Sequence, residues 1–182
     1  MSDNYHLRFP IGEYTPPVTI TKNQRDLWID EIAAFPKAIE KITQDLNKSQ
    51  TLSTYRSGGW NIRQLVHHCA DSHSQAYTRF KLTLSENNPI IKPYNEADWA
   101  THPDANDATL TPSLHLLEGL HYRWCSFMRS LSDTEWERSF VHPEHNTSFN
   151  LLETVGNYAW HGKHHLAHIR LALDTYEEKN NI

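Results

Sequence analysis

The sequence predicts an all-α protein: an antiparallel four-helix bundle with long connecting loops and an extended N-terminal arm. Three observations lead there. Four long stretches repeat apolar residues at the three-and-four spacing of a helix that hides one face. Each opens at Thr or Asn (Thr21, Asn61, Thr111, Asn150), residues whose side chains accept bonds from helix N-termini. No stretch shows the sustained two-residue alternation of a half-buried strand, and no internal repeat appears.

Residues 1–20 read as the arm, because Pro10, Gly12, Pro16 and Pro17 punctuate it and no helical period appears. Residues 21–178 form the bundle domain. Its first helix starts after Thr21, with Gln24 at the reciprocal capping position, and runs to about Leu46. Pro36 sits inside it and should kink or break it, since proline lacks the N–H and clashes with the preceding turn. Ser57-Gly58-Gly59 is a loop. Asn61 and Gln64 cap a second helix over residues 61–86, whose apolar face runs through Ile62, Leu65, Val66, Cys69, Ala76, Tyr77, Phe80 and Leu84.

Residues 87–110 carry Pro89, Pro93 and Pro103 and form a long connection, with a short turn near Glu96–Ala100. Connections of this length in a compact domain are often functional. Thr111-Pro112 opens the third helix with proline at its first position, and Leu114, Leu117, Leu120, Trp124, Phe127, Met128 and Leu131 give it an apolar face. Residues 132–149 are a connector with a short helix at Asp133–Arg138 and a turn at His142-Pro143. Asn150 with Glu153 then caps a fourth helix that runs to about Tyr176. Four helices and two long connections are the parts of a bundle.

Composition narrows the function. A chain of 182 residues, 38% hydrophobic and 21% charged, builds one globular domain. No apolar run reaches the roughly 18 residues of a membrane helix. The opening Met-Ser-Asp-Asn-Tyr-His lacks the basic-then-apolar order of a secretory leader, so the expected location is the cytoplasm. A net charge of -5 argues against a nucleic-acid surface. Cys69 and Cys125 make no CxxC and read as reduced thiols, with Cys69 a small core residue.

Histidine is the outlier. The chain has 13, and His161, His164, His165 and His168 fall within one short stretch of the fourth helix. Residues four apart stand above one another on a helix, so His161 with His165, or His164 with His168, can converge on one metal ion. On a helical wheel His165 lies roughly 70° and His161 roughly 110° from the centre of the apolar face, whereas His164 points nearly opposite. Ligands in a bundle border its interior, so the wheel favours His161 and His165 and reads His164 as solvent-exposed. The glutamate of H-E-x-x-H is absent, so this is no zincin motif.

On the second helix the wheel leaves His67, His68 and His73 open. His73 points nearest the apolar face and reads otherwise as a core histidine paired with a buried polar group. His67 or His68 reads otherwise as a solvated residue. Four more residues are weaker candidates. Asp71 could orient a ligand, against the plainer reading of a solvent-facing carboxylate. Tyr158 reads as a core tyrosine. Glu13 and Tyr14 of the arm could reach the site or a partner subunit, although an arm more often covers apolar surface.

The run Gly58-Gly59-Trp60-Asn61-Ile62-Arg63-Gln64-Leu65-Val66-His67-His68-Cys69-Ala70-Asp71-Ser72-His73 closely resembles the second-helix motif of the DinB/YfiT superfamily. Pro10-Ile11-Gly12-Glu13-Tyr14, Arg79-Phe80-Lys81-Leu82, Pro93-Tyr94, and the stretch from Trp160-His161 to His168-Ile169 match as well, so the resemblance covers nearly the whole chain. It is nearest to the YfiT-type members, described as metal-dependent hydrolases. It implies a divalent ion held by His68, His161 and His165, and a homodimer. Where many relatives carry Gln three residues after the last ligand, this chain has His168, which leaves a supporting or substrate-contact role open there.

Three neutral imidazoles leave positions for water or substrate, the pattern of catalytic zinc. The expected function is therefore a metal-dependent hydrolase acting on a small-molecule substrate, with zinc as first choice of ion, nickel as second, and bound water as nucleophile. The runner-up is a metal-assisted transferase of a low-molecular-weight thiol such as bacillithiol or glutathione. A third reading is a non-catalytic metal-binding bundle. Neither a nucleic-acid nor a membrane partner is expected, and no catalytic residue beyond the ligands is assigned.

Overall fold

The computed structural model describes residues 4–144 and 146–180. Four long helices dominate it: α2 (Lys22–Thr43), α4 (Ile62–Ser85), α6 (Thr111–Arg129) and α8 (Leu151–Asn180). Four single-turn helices decorate the arm and the connections: α1 (Tyr5–Arg8), α3 (Lys48–Thr51), α5 (Glu96–Trp99) and α7 (Asp133–Trp136), with a 3₁₀ turn at Asp104–Asn106. Two short strands, β1 (Ser139–His142) and β2 (Thr147–Asn150), pair antiparallel just before α8. No described helix is long and apolar enough to cross a membrane.

The capping chemistry acts where the sequence places it at three of the four long helices; α6 instead begins at Thr111 itself, with Leu110 before it and no side-chain cap. The Thr21 hydroxyl accepts from Gln24 N at 3.2 Å. Asn61 and Gln64 form a reciprocal box, with the Asn61 amide oxygen accepting from Gln64 N and the Gln64 amide oxygen from Asn61 N, both at 3.0 Å. Asn150 accepts from Glu153 N at 2.7 Å and so starts α8. Such caps satisfy backbone donors that helix geometry leaves unpaired.

Some expectations change. The single turns α1 and α3 were not foreseen, because one turn leaves no periodicity to read. The β1–β2 hairpin was not foreseen for the same reason: each strand has four residues, with Phe140 opposite Phe149 in the register. Pro36 does not break α2, which continues to Thr43 before a turn begins. Helix α8 runs past Tyr176 to Asn180 through Glu177, Glu178 and Lys179, a polar turn with no apolar face to announce it.

Helix α2 packs on α6 and α8, and α4 packs on the same two, so α2 faces α4 across the bundle. Two apolar clusters fill the interior. One holds Trp28, Ile29, Ile32, Phe80, Trp124 and Met128; the other holds Phe35, Ile39, Ile62, Leu65, Leu117 and Ile169. Each such side chain fully buried contributes about 1.5–3 kcal/mol. Where the clusters meet, the interior turns polar. His73 and His121 lie there, with Phe35 of one cluster against both rings and Trp124 of the other against both.

Candidate metal centre

Helices α4 and α8 are neighbours, and that adjacency assembles the site. His68 from α4 and His161 and His165 from α8 each turn a ring nitrogen to a common point, all within 4.8 Å of one another. His68 Nε2 lies 3.3 Å from His161 Nε2, and His165 Nε2 lies 3.1 Å from the same atom. Zinc–nitrogen bonds of about 2.0–2.1 Å place two ligand nitrogens about 3.0–3.4 Å apart at octahedral to tetrahedral angles. Both nitrogen pairs at His161 therefore have the spacing of ligands on one divalent ion, and the third pair lies within 4.8 Å. His68 and His165 are buried and His161 is half-buried. Trp60 walls one side, its ring centroid 4.6 Å from that of His68 and 6.5 Å from that of His165.

The electrostatics suit ligation. Burial lowers the His68 pKa to about 4. Burial first, then the neighbouring imidazoles, holds His161 and His165 well below the ordinary histidine value. All three rings are thus neutral near pH 7 and offer lone pairs, as a metal ligand must.

Around this centre lies a second set of histidines. His73 is fully buried, with Nε2 3.0 Å from His161 Nδ1 and Nδ1 2.7 Å from His121 Nε2. His121 Nδ1 reaches the Ile32 carbonyl at 2.6 Å. His168 is buried against the Tyr55 ring, centroids 3.9 Å apart. Its Nδ1 lies 3.4 Å from His165 Nδ1, and its Nε2 sits 3.2 Å from both the Leu7 and Arg8 carbonyls of the arm.

One expectation is overturned. His164 is buried rather than solvent-exposed, at 7% accessibility. Its ring stacks on Trp160 at 4.4 Å and meets His168 at 4.2 Å and Phe9 at 6.0 Å. The wheel describes one helix, and the arm that covers this face comes from elsewhere in the chain. His164, His165 and His168 form a second group whose nitrogens lie within 4.8 Å, sharing His165 with the first. His67 is also buried, not solvated: it bonds the Ser113 hydroxyl at 2.8 Å and the Asp107 carbonyl at 3.2 Å.

Of the weaker candidates, Tyr158 packs its ring against His161 and His73, with centroids 5.6 and 5.4 Å away. Among the described residues Asp71 makes no hydrogen bond to His68. Tyr158 is a core tyrosine whose hydroxyl donates to the Ser72 carbonyl at 3.4 Å. The Glu13 carboxylate accepts from Tyr5 within the arm, and Tyr14 donates to the Glu153 carbonyl and so fastens the arm to α8. Cys69 and Cys125 are buried free thiols. His121 went unrecognised in the sequence although a signal exists: it stands four residues after Leu117 and seven before Met128, inside the apolar stripe of α6.

A bundle whose helices turn several histidines toward one point defines a class, that of small helical metal-binding domains. The family follows from comparison. Residues 24–169 match the family model described as the DinB superfamily, and the chain belongs to that superfamily. It is 49% identical over 162 residues to a protein of Oceanobacillus iheyensis named "Putative metal-dependent hydrolase", covering 89% of this chain and 93% of the relative. It is 43% identical over 164 residues to "Putative metal-dependent hydrolase YfiT" of Bacillus subtilis, covering 90% and 92%. The solved structure of that Bacillus subtilis protein superposes with a TM-score of 0.91 at 41% identity, over 94% of this chain and 98% of the other. It is described as "a probable metal-dependent hydrolase with an unusual four-helix bundle topology".

Proposed function

We propose that this chain is a metal-dependent hydrolase of small molecules in which His68, His161 and His165 hold one divalent ion, zinc before nickel. The convergence of three Nε2 atoms carries the reading, and the names of the relatives support the reaction class. When bound, such an ion lowers the pKa of coordinated water toward about 7 and polarises an oxygen of the substrate. The protein's own contribution is positional. Two ligands one turn apart on α8 and a third on the adjacent α4 fix three directions, and three protein ligands are fewer than the roughly four to six positions of such an ion. Both candidate groups consist of histidine alone, so the site adds no carboxylate charge to an ion and leaves its pull on an oxygen undiminished. The Trp60 indole beside His68 offers a flat apolar wall for the organic part of a substrate.

The test is elemental analysis of untagged protein beside His68→Ala and His165→Ala, with each protein then assayed on a panel of activated esters and amides, with and without zinc. About one ion per chain, lost in both variants together with zinc-dependent hydrolysis, is the expected result. Full metal content in either variant overturns the ligand set. Consumption of electrophiles only when a thiol is supplied would assign the site to thiol transfer instead.

A further inference from the structure

We infer that His161 and His165 are each held as metal ligands by a histidine relay ending on a backbone carbonyl, which makes His73, His121 and His168 positioning residues of the centre. The inference rests on the ligand reading above and adds residues that do not themselves face the ion.

The longer relay can be read proton by proton. A backbone carbonyl only accepts, so the 2.6 Å contact between the Ile32 oxygen and His121 requires a hydrogen on His121 Nδ1. Each nitrogen–nitrogen link can hold only one hydrogen. At the 2.7 Å link to His73, the choice is between His121 Nε2–H and His73 Nδ1–H. A neutral His121 has spent its hydrogen on Ile32, so His73 Nδ1 donates. Neutral His73 then presents a lone pair at Nε2, and His161 Nδ1 must donate across the 3.0 Å link. This leaves the His161 Nε2 lone pair free, and that is the atom turned toward His68 and His165. Proton positions are thus dictated from Ile32 in α2, through His121 in α6 and His73 in α4, to His161 in α8. The relay crosses all four long helices.

The origin of the relay is written in the sequence. In an α-helix the carbonyl of residue 32 accepts from the N–H of residue 36, and residue 36 is proline. Pro36 has no N–H, so the Ile32 carbonyl is left without its helical donor, and His121 supplies the replacement. The proline inside α2 is therefore the feature that frees an acceptor in the core.

The shorter relay serves His165. His168 Nε2 stands 3.2 Å from the Leu7 and Arg8 carbonyls and must carry its hydrogen there. Its Nδ1 is then a lone pair, and His165 Nδ1 donates to it across 3.4 Å, which presents His165 Nε2 to the centre. Two carbonyls of the arm thereby set the tautomer of a ligand. Partners of this kind fix ring orientation and raise ligand basicity, and removing one usually lowers metal affinity about 10–100-fold.

The test reads tautomers directly in the intact, zinc-free protein at pH 7, by long-range proton–nitrogen correlation of the imidazole rings. His121, His73, His161 and His165 should each show a pyrrole-type Nδ1 and a pyridine-type Nε2, with His168 alone of this set reversed. His73 protonated at Nε2, or His168 protonated at Nδ1, overturns the corresponding relay. In parallel, zinc affinity is measured by competition with a chromogenic chelator. His73→Phe and His168→Phe should each bind zinc about 10–100-fold more weakly, and His73→Gln, which keeps an acceptor for His161, should recover much of the loss. Unchanged affinity in a folded His73→Phe protein overturns the longer relay. Two ions per chain, one of them lost in His168→Phe, would make His168 a ligand and overturn the shorter one. If the unmodified protein takes up no zinc, the ligand reading fails by itself, and the tautomer pattern still decides the relays.

Discussion

Replacing His121 with glutamine should make the metal-free protein less sensitive to acid. Burial, partly opposed by the bond to the Ile32 carbonyl, lowers the His121 pKa to about 4. In the unfolded chain the same imidazole titrates near about 6.5. Between those values the unfolded chain binds a proton that the folded chain does not, so stability rises with pH across the window. The contribution is complete above about pH 6.5 and disappears as the pH falls through about 4. Going from pH 7 to pH 5 it amounts to about 2 kcal/mol. With a urea slope of about 2 kcal/mol per molar, typical for a chain of this size, the midpoint should move about 1 M further in the parent than in His121→Gln.

The assay is urea unfolding of EDTA-treated parent and variant at both pH values. Comparing the two shifts cancels shared groups that do not touch His121. Asp71 and Glu96 are such groups: burial first holds their carboxyls above the ordinary range, which gives them the opposite slope. A variant that loses as much stability as the parent between pH 7 and pH 5 would refute the burial argument.

Three further outcomes are expected. Zinc at a hundredfold excess over its dissociation constant should stabilise the folded chain by about 2.7 kcal/mol, a melting rise of about 5–10 °C that is absent from His165→Ala; no rise in the parent would contradict the site. Asn61→Ala removes the side-chain half of the α4 capping box and should cost about 1 kcal/mol in urea unfolding, with zinc stoichiometry kept; equal stability would show the cap to be idle. Gly156→Ala places a Cβ 2.8 and 2.9 Å from ring carbons of buried Trp28 and tight against the Tyr14 hydroxyl. Overpacking of about 1–3 kcal/mol should exceed the roughly 1 kcal/mol gained in helix propensity, and a variant as stable as the parent would count against that packing.

The four helices, their starts and the apolar faces were legible because each depends on neighbours in the sequence. Thr21, Asn61 and Asn150 cap helices through bonds to residues three positions away, and those bonds form as the local pattern requires. The pairing of His161 with His165 was legible for the same reason. His68 was drawn in by a family motif, since the wheel alone did not separate it from His67 and His73.

What the tertiary structure decided lies between segments. His164 is buried because the arm and Trp160 cover a face that the α8 sequence marks as outward. His73 and His121 meet because α4 and α6 are neighbours, and Pro36 matters because α6 brings a donor to the carbonyl that it leaves unpaired. Helix periodicity is a short-range property, carried by bonds four residues apart and readable along one chain segment. Burial and hydrogen-bond pairing are satisfied by whatever packs alongside, from 48 residues away for His73 and His121 and 89 for His121 and Ile32, and only the assembled bundle determines those partners.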